Sequence, residues 1–551
     1  MKVVTSTPSR PANPKRCDGL IVQLRRSQTR KQALATARKV VSRLSGKWQV
    51  NLINHADRLY EALRTKPKTQ PTVRQAFDMV RDLMEDPEVE MAEIGAIVPG
   101  ADPDLRQVLT EAEMKLLPKG GGGGGDLPCS SDPEWALHAT RIPEAWDLPP
   151  NGGAKFGKDI VVAHPDTGYT LHPEFIHGNR VLTAKGFDFE SDDTDPADPL
   201  KGQAPSHGTS TGSVIMSTTG KQIPANHAFV SGVAPRAKLI PIRVSTGVVH
   251  LSFRKVTKAI YHAIDTNAHV ISMSLGGPFF SRALQVAVDS AIEKGIVVIA
   301  AAGNKWPFVV YPAKLDEVIA VAASNCNRKP WSGSARGSKV DFTAPGESVW
   351  RAKTKKSNSG QFIVARSDGT SYATAMTAGA CALWLAFHGR NNLITKYGKA
   401  NLSAAFRHCV STTVDTPPGW KKSKYGAGII DVKALLSLPL PAESTVSGAA
   451  PSPKSVSDLD EVLDYLAGAK KGNARAILAK MFNCKPADLR RELKGYREEL
   501  CYQLATNPEL RSTIIAKSMA KKATGISSKT LAKPTLLGGR VSRGLQKRLE
   551  M

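Results

Sequence analysis

The chain has 551 residues, and at about 150 residues per domain that length predicts three or four folded units. Lysine and arginine total 75 against 49 acidic residues, a formal net charge of +26, while hydrophobic residues make up 41 %. This composition excludes wholesale disorder. No stretch reaches the roughly 18 consecutive apolar residues of a membrane helix, and the longest apolar runs, 378–387 and 295–303, are short enough to be buried core.

The first residues carry no export signal, because Val3 and Val4 are followed at once by Thr, Ser, Pro and Arg instead of an apolar run. The seven cysteines (Cys17, Cys129, Cys326, Cys381, Cys409, Cys484, Cys501) are odd in number, scattered and without a CxxC pair. That pattern predicts neither a disulfide scaffold nor a zinc site, and it fits a reducing compartment. The expected location is cytoplasmic, or secreted if the start site is misassigned.

In chain order, residues 1–17 form a basic segment, and the first 50 residues hold 12 Lys or Arg against the single acid Asp18. Residues 18–98 alternate strand and helix signals: strand at 19–24 (GLIVQL), helix at 29–44, strand at 47–53, helix at 73–84 and a closing strand at 89–98. Residues 99–133 read as a linker around the six glycines Gly120 to Gly125. A central block spans 134–436, and a second linker, rich in Pro, Ser and Ala, spans 437–454.

Residues 455–514 have a helical pattern. Ser457 and Asp460 suit a cap opening a helix at 458–467, with Leu459, Val462, Leu463 and Leu466 on one face, as in a small module that docks on the central block or on a partner. Residues 515–551 read as a solvated basic tail with runs such as Lys521-Lys522 and Gln546-Lys547-Arg548. Such flanks suit weak nucleic-acid contact by counterion release, without the interleaved aromatics of a specific site.

The central block alternates β-branched strands (159–163, 238–244, 269–275, 296–301, 318–323) with helices (252–265, 282–294, 370–388). Strands apolar on both faces and separated by helices predict an α/β domain with a doubly wound, mostly parallel sheet. Sites in such sheets form at the carboxyl ends of the strands. There the sequence carries Asp166-Thr167-Gly168, Gly276-Gly277 and Asn304, and two helix openings carry Ser206-His207-Gly208-Thr209 and Gly369-Thr370-Ser371.

These residues fill the roles of acyl transfer. Ser371 is the candidate nucleophile, His207 the base, and Asp166 the group that orients the imidazole. Asn304, with the Ser371 N–H, is the oxyanion donor. Each has a structural alternative: Asp-Thr-Gly as a turn, Ser371 as an N-cap, His207 as a helix-start residue, Asn304 in a left-handed turn. All four alternatives would have to coincide in one register.

Here the chain resembles the subtilisin-like serine peptidases, the subtilases, whose order is Asp, His, Ser. The resemblance rests on Asp166-Thr167-Gly168, His207-Gly208-Thr209, Gly232-Val233-Ala234-Pro235, Ser272 to Gly277, Ala302-Gly303-Asn304, Ala344-Pro345-Gly346, Gly369-Thr370-Ser371 and Tyr425-Gly426-Ala427-Gly428, in the family's order. It implies a serine endopeptidase acting on polypeptide substrates. It also implies that Ser274, Leu275, Gly276 and Gly277 form one substrate-binding edge, with Ala302 and Gly303 in the opposite wall. Residues 18–98 then correspond to a propeptide that assists folding and inhibits, cut before Asp126.

The sequence departs from the family in having Ala375 and Met376 where Pro and His are usual after the nucleophile, and Ser210 where His is frequent. The acidic stretch 187–198 (FDFESDDTDPAD) lacks the alternation of a calcium loop and reads as solvated. No metal and no cofactor are expected. The competing class is a non-catalytic binding protein that uses the same core as a scaffold.

Overall fold

The computed structural model describes residues 16–26, 28–66, 69–95, 97–98, 128–149, 155–218, 229–355, 361–447, 475–476, 478–479, 482–493, 496–506 and 541–550. The chain divides into two compact units, one of residues 1–101 with 479–499 and 525–551, the other of residues 102–478 with 500–524.

In the first unit, β1 (Gly19–Leu24), β2 (Trp48–Asn54), β3 (Leu59–Arg64) and β4 (Val89–Ile94) form an antiparallel sheet in the order β2-β3-β1-β4. Helices α1 (Arg30–Ser42) and α2 (Val73–Met84) each open with a capping box, Thr29 with Gln32 and Thr72 with Gln75. Their apolar stripes, including Val40, Val41, Ala76 and Leu83, share a core with Leu20, Val22, Tyr60 and Ala62. Strand β3 was not expected from the sequence. Leu59-Tyr60-Glu61-Ala62-Leu63-Arg64 contains good helix formers, and pairing on both edges, with β1 and β2, overrides that preference.

The tail differs from expectation as well. Arg543–Glu550 is a helix, and Val541, Ser542 and Leu545 are buried. The buried Glu499 accepts from the Ser542 N–H and hydroxyl and pairs with Arg81 of α2. Apolar residues spaced among the basic ones give this segment a face to bury. The proposed helix at 458–467 and the glycine run lie outside the described residues.

The second unit is built on seven parallel strands. Its named strands are β5 (Val161–Asp166), β6 (Lys238–Arg243), β7 (Val270–Met273), β8 (Val297–Ala301), β9 (Ile319–Ser324) and β10 (Phe342–Pro345). Their order is β10-β9-β8-β7-β5-β6, followed by the short strand Phe187–Asp188 at the edge. Every neighbouring pair is parallel. An antiparallel hairpin, β11 (Val349–Thr354) and β12 (Phe362–Ser367), stands apart from the sheet.

Helices α3 (His207–Met216), α4 (Arg254–Asp265), α5 (Arg282–Glu293) and α6 (Thr370–His388) cross between or cover the strands. α6 is apolar on all sides and is buried from Thr370 to Ala386, as a central helix must be. Among the described residues no helix is long and apolar enough to cross a membrane.

Two expectations at the borders of this unit need correction. Residues from Leu438 onward were read as linker, yet Leu438 and Leu440 pack on the core, Glu443–Ser447 is helical and Val446 is fully buried. The scattered cysteines predict no disulfide scaffold and fit a reducing compartment, yet Cys129 and Cys326 form a disulfide across a separation of 197 residues. No local spacing announces such a pair; the fold alone brings the two positions together. Of the remaining thiols, Cys17, Cys381, Cys409 and Cys501 are buried.

Candidate active site at the carboxyl ends of the strands

Asp166 is the last residue of β5 and His207 the first of α3, so the strand end and the helix start deliver a carboxylate and an imidazole to the same rim. His207 Nδ1 lies 2.8 Å from Asp166 Oδ1 and 3.0 Å from Oδ2. A carboxylate only accepts, so Nδ1 carries the proton and Nε2 is left to act as the base. Burial by itself would raise the Asp166 pKa. The His207 charge and hydrogen bond, together with the Thr167 N–H, outweigh it and hold the group below the usual carboxylate range.

The approach of α3 is set by its first turn. Ser206 has φ 64°, a left-handed value that redirects the chain into the helix, and its hydroxyl accepts from the Thr354 N–H of β11. A Cβ on Gly208 would lie 2.1 Å from the Gly168 carbonyl oxygen, so only glycine lets the helix come this near the Asp166 turn. Asp198 completes the brace: it accepts from the Thr167 hydroxyl and the Ser206 N–H, each at 2.7 Å, while Thr167 Oγ1 accepts from Gly208 N–H.

The reading of 187–198 as a solvated loop is therefore corrected at its ends. Asp198 is buried at the site, and Asp188 pairs with the buried Arg243. Sequence reasoning missed Asp198 and Thr167 as supports, since each acts through a contact between distant segments.

Ser371 is the second residue of α6 and is buried. Its hydroxyl donates to the Ser274 carbonyl at 3.3 Å and makes no hydrogen bond to His207; Ser274 Oγ in turn donates to the Ser371 carbonyl at 3.0 Å. The structure thus joins Asp166 to His207 and seats Ser371 at the end of β7, the strand adjoining β5. Helices α3 and α6, which open with His207 and Ser371, pack against each other.

Asn304 follows β8. Its side chain accepts both the Thr370 N–H and the Thr370 hydroxyl, each at 2.8 Å. The Thr370 N–H can only donate, so the atom facing it is the carbonyl oxygen and the amide NH₂ is turned the other way, beside Gly369. Thr370 is a third support that sequence reasoning did not single out.

The expected substrate edge is largely engaged within the chain. The Gly276 N–H donates to Val248 and its carbonyl accepts from His250 N–H, both at 2.9 Å; Gly277 exchanges two bonds with Tyr311. Ser274 and Leu275 are buried, and the side chain of Ser274 donates to the Ser371 carbonyl. In the opposite wall Ala302 pairs with Val321 and Val310, and Gly303 pairs with Ala335 and the Thr370 hydroxyl. Gly277 is required by packing, since a Cβ there would fall 1.7 Å from the His250 carbonyl oxygen.

Comparison with known proteins follows the same residues. The subtilase family profile matches residues 157–428. The chain is 32 % identical to thermitase of Thermoactinomyces vulgaris over 301 residues, which cover 54 % of this chain and 96 % of that one. It is 37 % identical to subtilisin E of Bacillus subtilis (strain 168) over 241 residues, covering 42 % and 57 %. It is 36 % identical to subtilisin DY of Bacillus licheniformis over 214 residues, covering 38 % and 72 %. With a parallel α/β core, an Asp–His pair at the rim of its sheet and similarity spanning 96 % of thermitase, the chain belongs to the subtilase family and is a subtilisin-like serine endopeptidase.

Proposed function

We propose that the chain hydrolyses peptide bonds through an acyl-enzyme formed on Ser371. Ser371 Oγ attacks the scissile carbonyl carbon while its proton passes to His207 Nε2, and Asp166 steadies the imidazolium through Nδ1–H. The oxyanion is held by the Asn304 amide and the Ser371 N–H at the start of α6. The intermediate collapses as His207 returns the proton to the leaving amine, and water repeats the sequence to release the acid and restore Ser371.

The observation that carries this reading is the buried Asp166 carboxylate set against His207 Nδ1 at 2.8 and 3.0 Å, which fixes the tautomer a base requires. Serine attack also requires Ser371 to turn about its Cα–Cβ bond, away from the Ser274 carbonyl and toward Nε2. That is a single rotamer step.

The antiparallel α/β unit at the N-terminus supports a second element of the proposal, that it is a propeptide removed by cleavage before Asp126. The Cys129–Cys326 disulfide favours an oxidising compartment over the cytoplasm. The test is hydrolysis of a denatured protein substrate together with intact mass. Wild type should hydrolyse it and lose its N-terminal unit, whereas Ser371→Ala should do neither and accumulate as full-length chain. Equal hydrolysis by both proteins would refute the assignment.

A further inference from the structure

His164 stands two residues before Asp166 on β5, so both side chains lie on the same face of the sheet. The ring is only 2 % exposed. His164 Nδ1 is 3.2 Å from the Ser272 carbonyl oxygen of β7, and Nε2 is 2.9 Å from Thr211 Oγ1, one turn along α3 from His207. The same Nε2 lies 3.8 Å from Asp166 Oδ2, and Thr211 Oγ1 lies 3.5 Å from that oxygen. A second imidazole and a hydroxyl therefore stand beside Oδ2, the carboxylate oxygen 3.0 Å from His207 Nδ1.

The proton positions follow from the partners. The Ser272 carbonyl can only accept, so Nδ1 carries a hydrogen. In the neutral ring Nε2 then offers a lone pair at 2.9 Å, the nearest acceptor for the single hydrogen of Thr211, ahead of the His207 carbonyl at 3.0 Å and the Gly208 carbonyl at 3.4 Å. Turned that way, Thr211 has no hydrogen for Asp166, and both carboxylate oxygens remain available to His207 Nδ1. Were Nε2 to gain a proton, the direction would reverse: Nε2–H would donate to Thr211, freeing the hydroxyl hydrogen for the His207 carbonyl or Asp166 Oδ2 and placing a positive charge beside the carboxylate.

We propose that His164 is a positioning residue of the reaction: by taking the Thr211 hydroxyl hydrogen, its neutral ring keeps the Asp166 carboxylate committed to His207. This inference rests on the triad reading given above. Burial holds His164 below the ordinary imidazole pKa, which keeps the neutral form dominant near neutral pH. The groups facing the ring are Asp166 from its own strand, His207, Thr211 and the Gly208 carbonyl from α3, and the Ser272 carbonyl from β7.

The test is steady-state kinetics on folded variants, with Ser371→Ala as the reference for a failed triad. His164→Val leaves the Thr211 hydroxyl to divide between the His207 carbonyl and Asp166, and should lower kcat by up to about tenfold, the value of one misdirected hydrogen bond, with KM within about twofold. His164→Gln can donate to Ser272 and accept from Thr211, and should keep kcat near wild type. Adding Thr211→Val to His164→Val removes the competing hydroxyl and should restore most of the loss, which no purely structural role of His164 would produce.

A pH profile decides the matter if His164→Val does not fold. The acid limb of log kcat/KM should be steeper in wild type than in His164→Gln, because only wild type adds a second proton beside Asp166. A wild-type kcat in His164→Val, no recovery in the double variant, or identical acid limbs would overturn the proposal. An active Ser371→Ala would instead overturn the triad itself.

Discussion

The carbonyl oxygen of Asn304 is held from two directions by Thr370, through its N–H and its hydroxyl at 2.8 Å each, so the amide hydrogens of Asn304 are aimed before any substrate arrives. Preorganisation of this kind is where an oxyanion donor gains its effect, because little reorientation is left for the reaction step. In the proposed role Asn304→Ala should lower kcat by about 10²–10³, the usual loss for one oxyanion donor, and leave KM nearly unchanged. Thr370→Val keeps the backbone donor and loses the hydroxyl, so its kcat should fall by about tenfold, between wild type and Asn304→Ala. Initial-rate measurements on a peptide anilide check both.

Residues 129 and 326 provide a test of the fold and of its surroundings together. Non-reduced peptide mapping should recover Cys129 linked to Cys326. Cys326→Ser opens a loop of 197 residues and should cost about 2–5 kcal/mol of stability, read from urea unfolding. A protein that carries both thiols free when isolated without reductant would remove the argument for an oxidising compartment.

Glu174 is buried with one carboxylate oxygen lacking a partner, and burial pushes its pKa up to about 7. A carboxyl whose folded pKa is raised binds protons more tightly when folded. Its contribution is complete below the ordinary value of 4.5 and is lost as pH rises toward 7. Glu174→Gln should therefore raise the urea midpoint at about pH 8 and leave it unchanged at about pH 4.

His269 works in the opposite sense. Burial, then Arg390 and Lys185, lower its pKa to about 4, and its Nδ1 accepts the Val161 N–H. Its neutral form is favoured by folding, so stability is lost as pH falls from 6.5 toward 4. Replacing it with Gln should flatten the acid side of the stability profile, measured by the same unfolding experiment.

Gly277 tests the close packing against His250. Gly277→Ala places a methyl group against the backbone of His250, which cannot yield as a flexible side chain would. Overpacking of this sort should cost about 1–3 kcal/mol and displace residues 248–250, visible as faster proteolysis there.

Much of this site is legible in the primary structure because its main groups sit inside short motifs at strand ends and helix starts. Asp166, His207, Asn304 and Ser371 are candidates on that ground, and the strands that carry them have the parallel sense their apolar pattern predicts. What escaped reading acts between segments. Asp198 reaches Thr167 across 31 positions, Thr370 reaches Asn304 across 66, and the disulfide closes 197, with no local pattern to mark any of them. Strand β3 escaped because its composition favours helix and its two neighbours decide otherwise. The glycine pair announces close approach without saying of what, and the backbone seen to approach it is the chain's own, at Val248, His250 and Tyr311.

The most direct test is covalent labelling with a fluorophosphonate, followed by peptide mapping of the adduct. The account predicts a single modified residue, Ser371, in protein freed of its N-terminal unit, with labelling abolished in Ser371→Ala and suppressed in His207→Ala. A label on another residue, or none on folded and processed wild type, would contradict it.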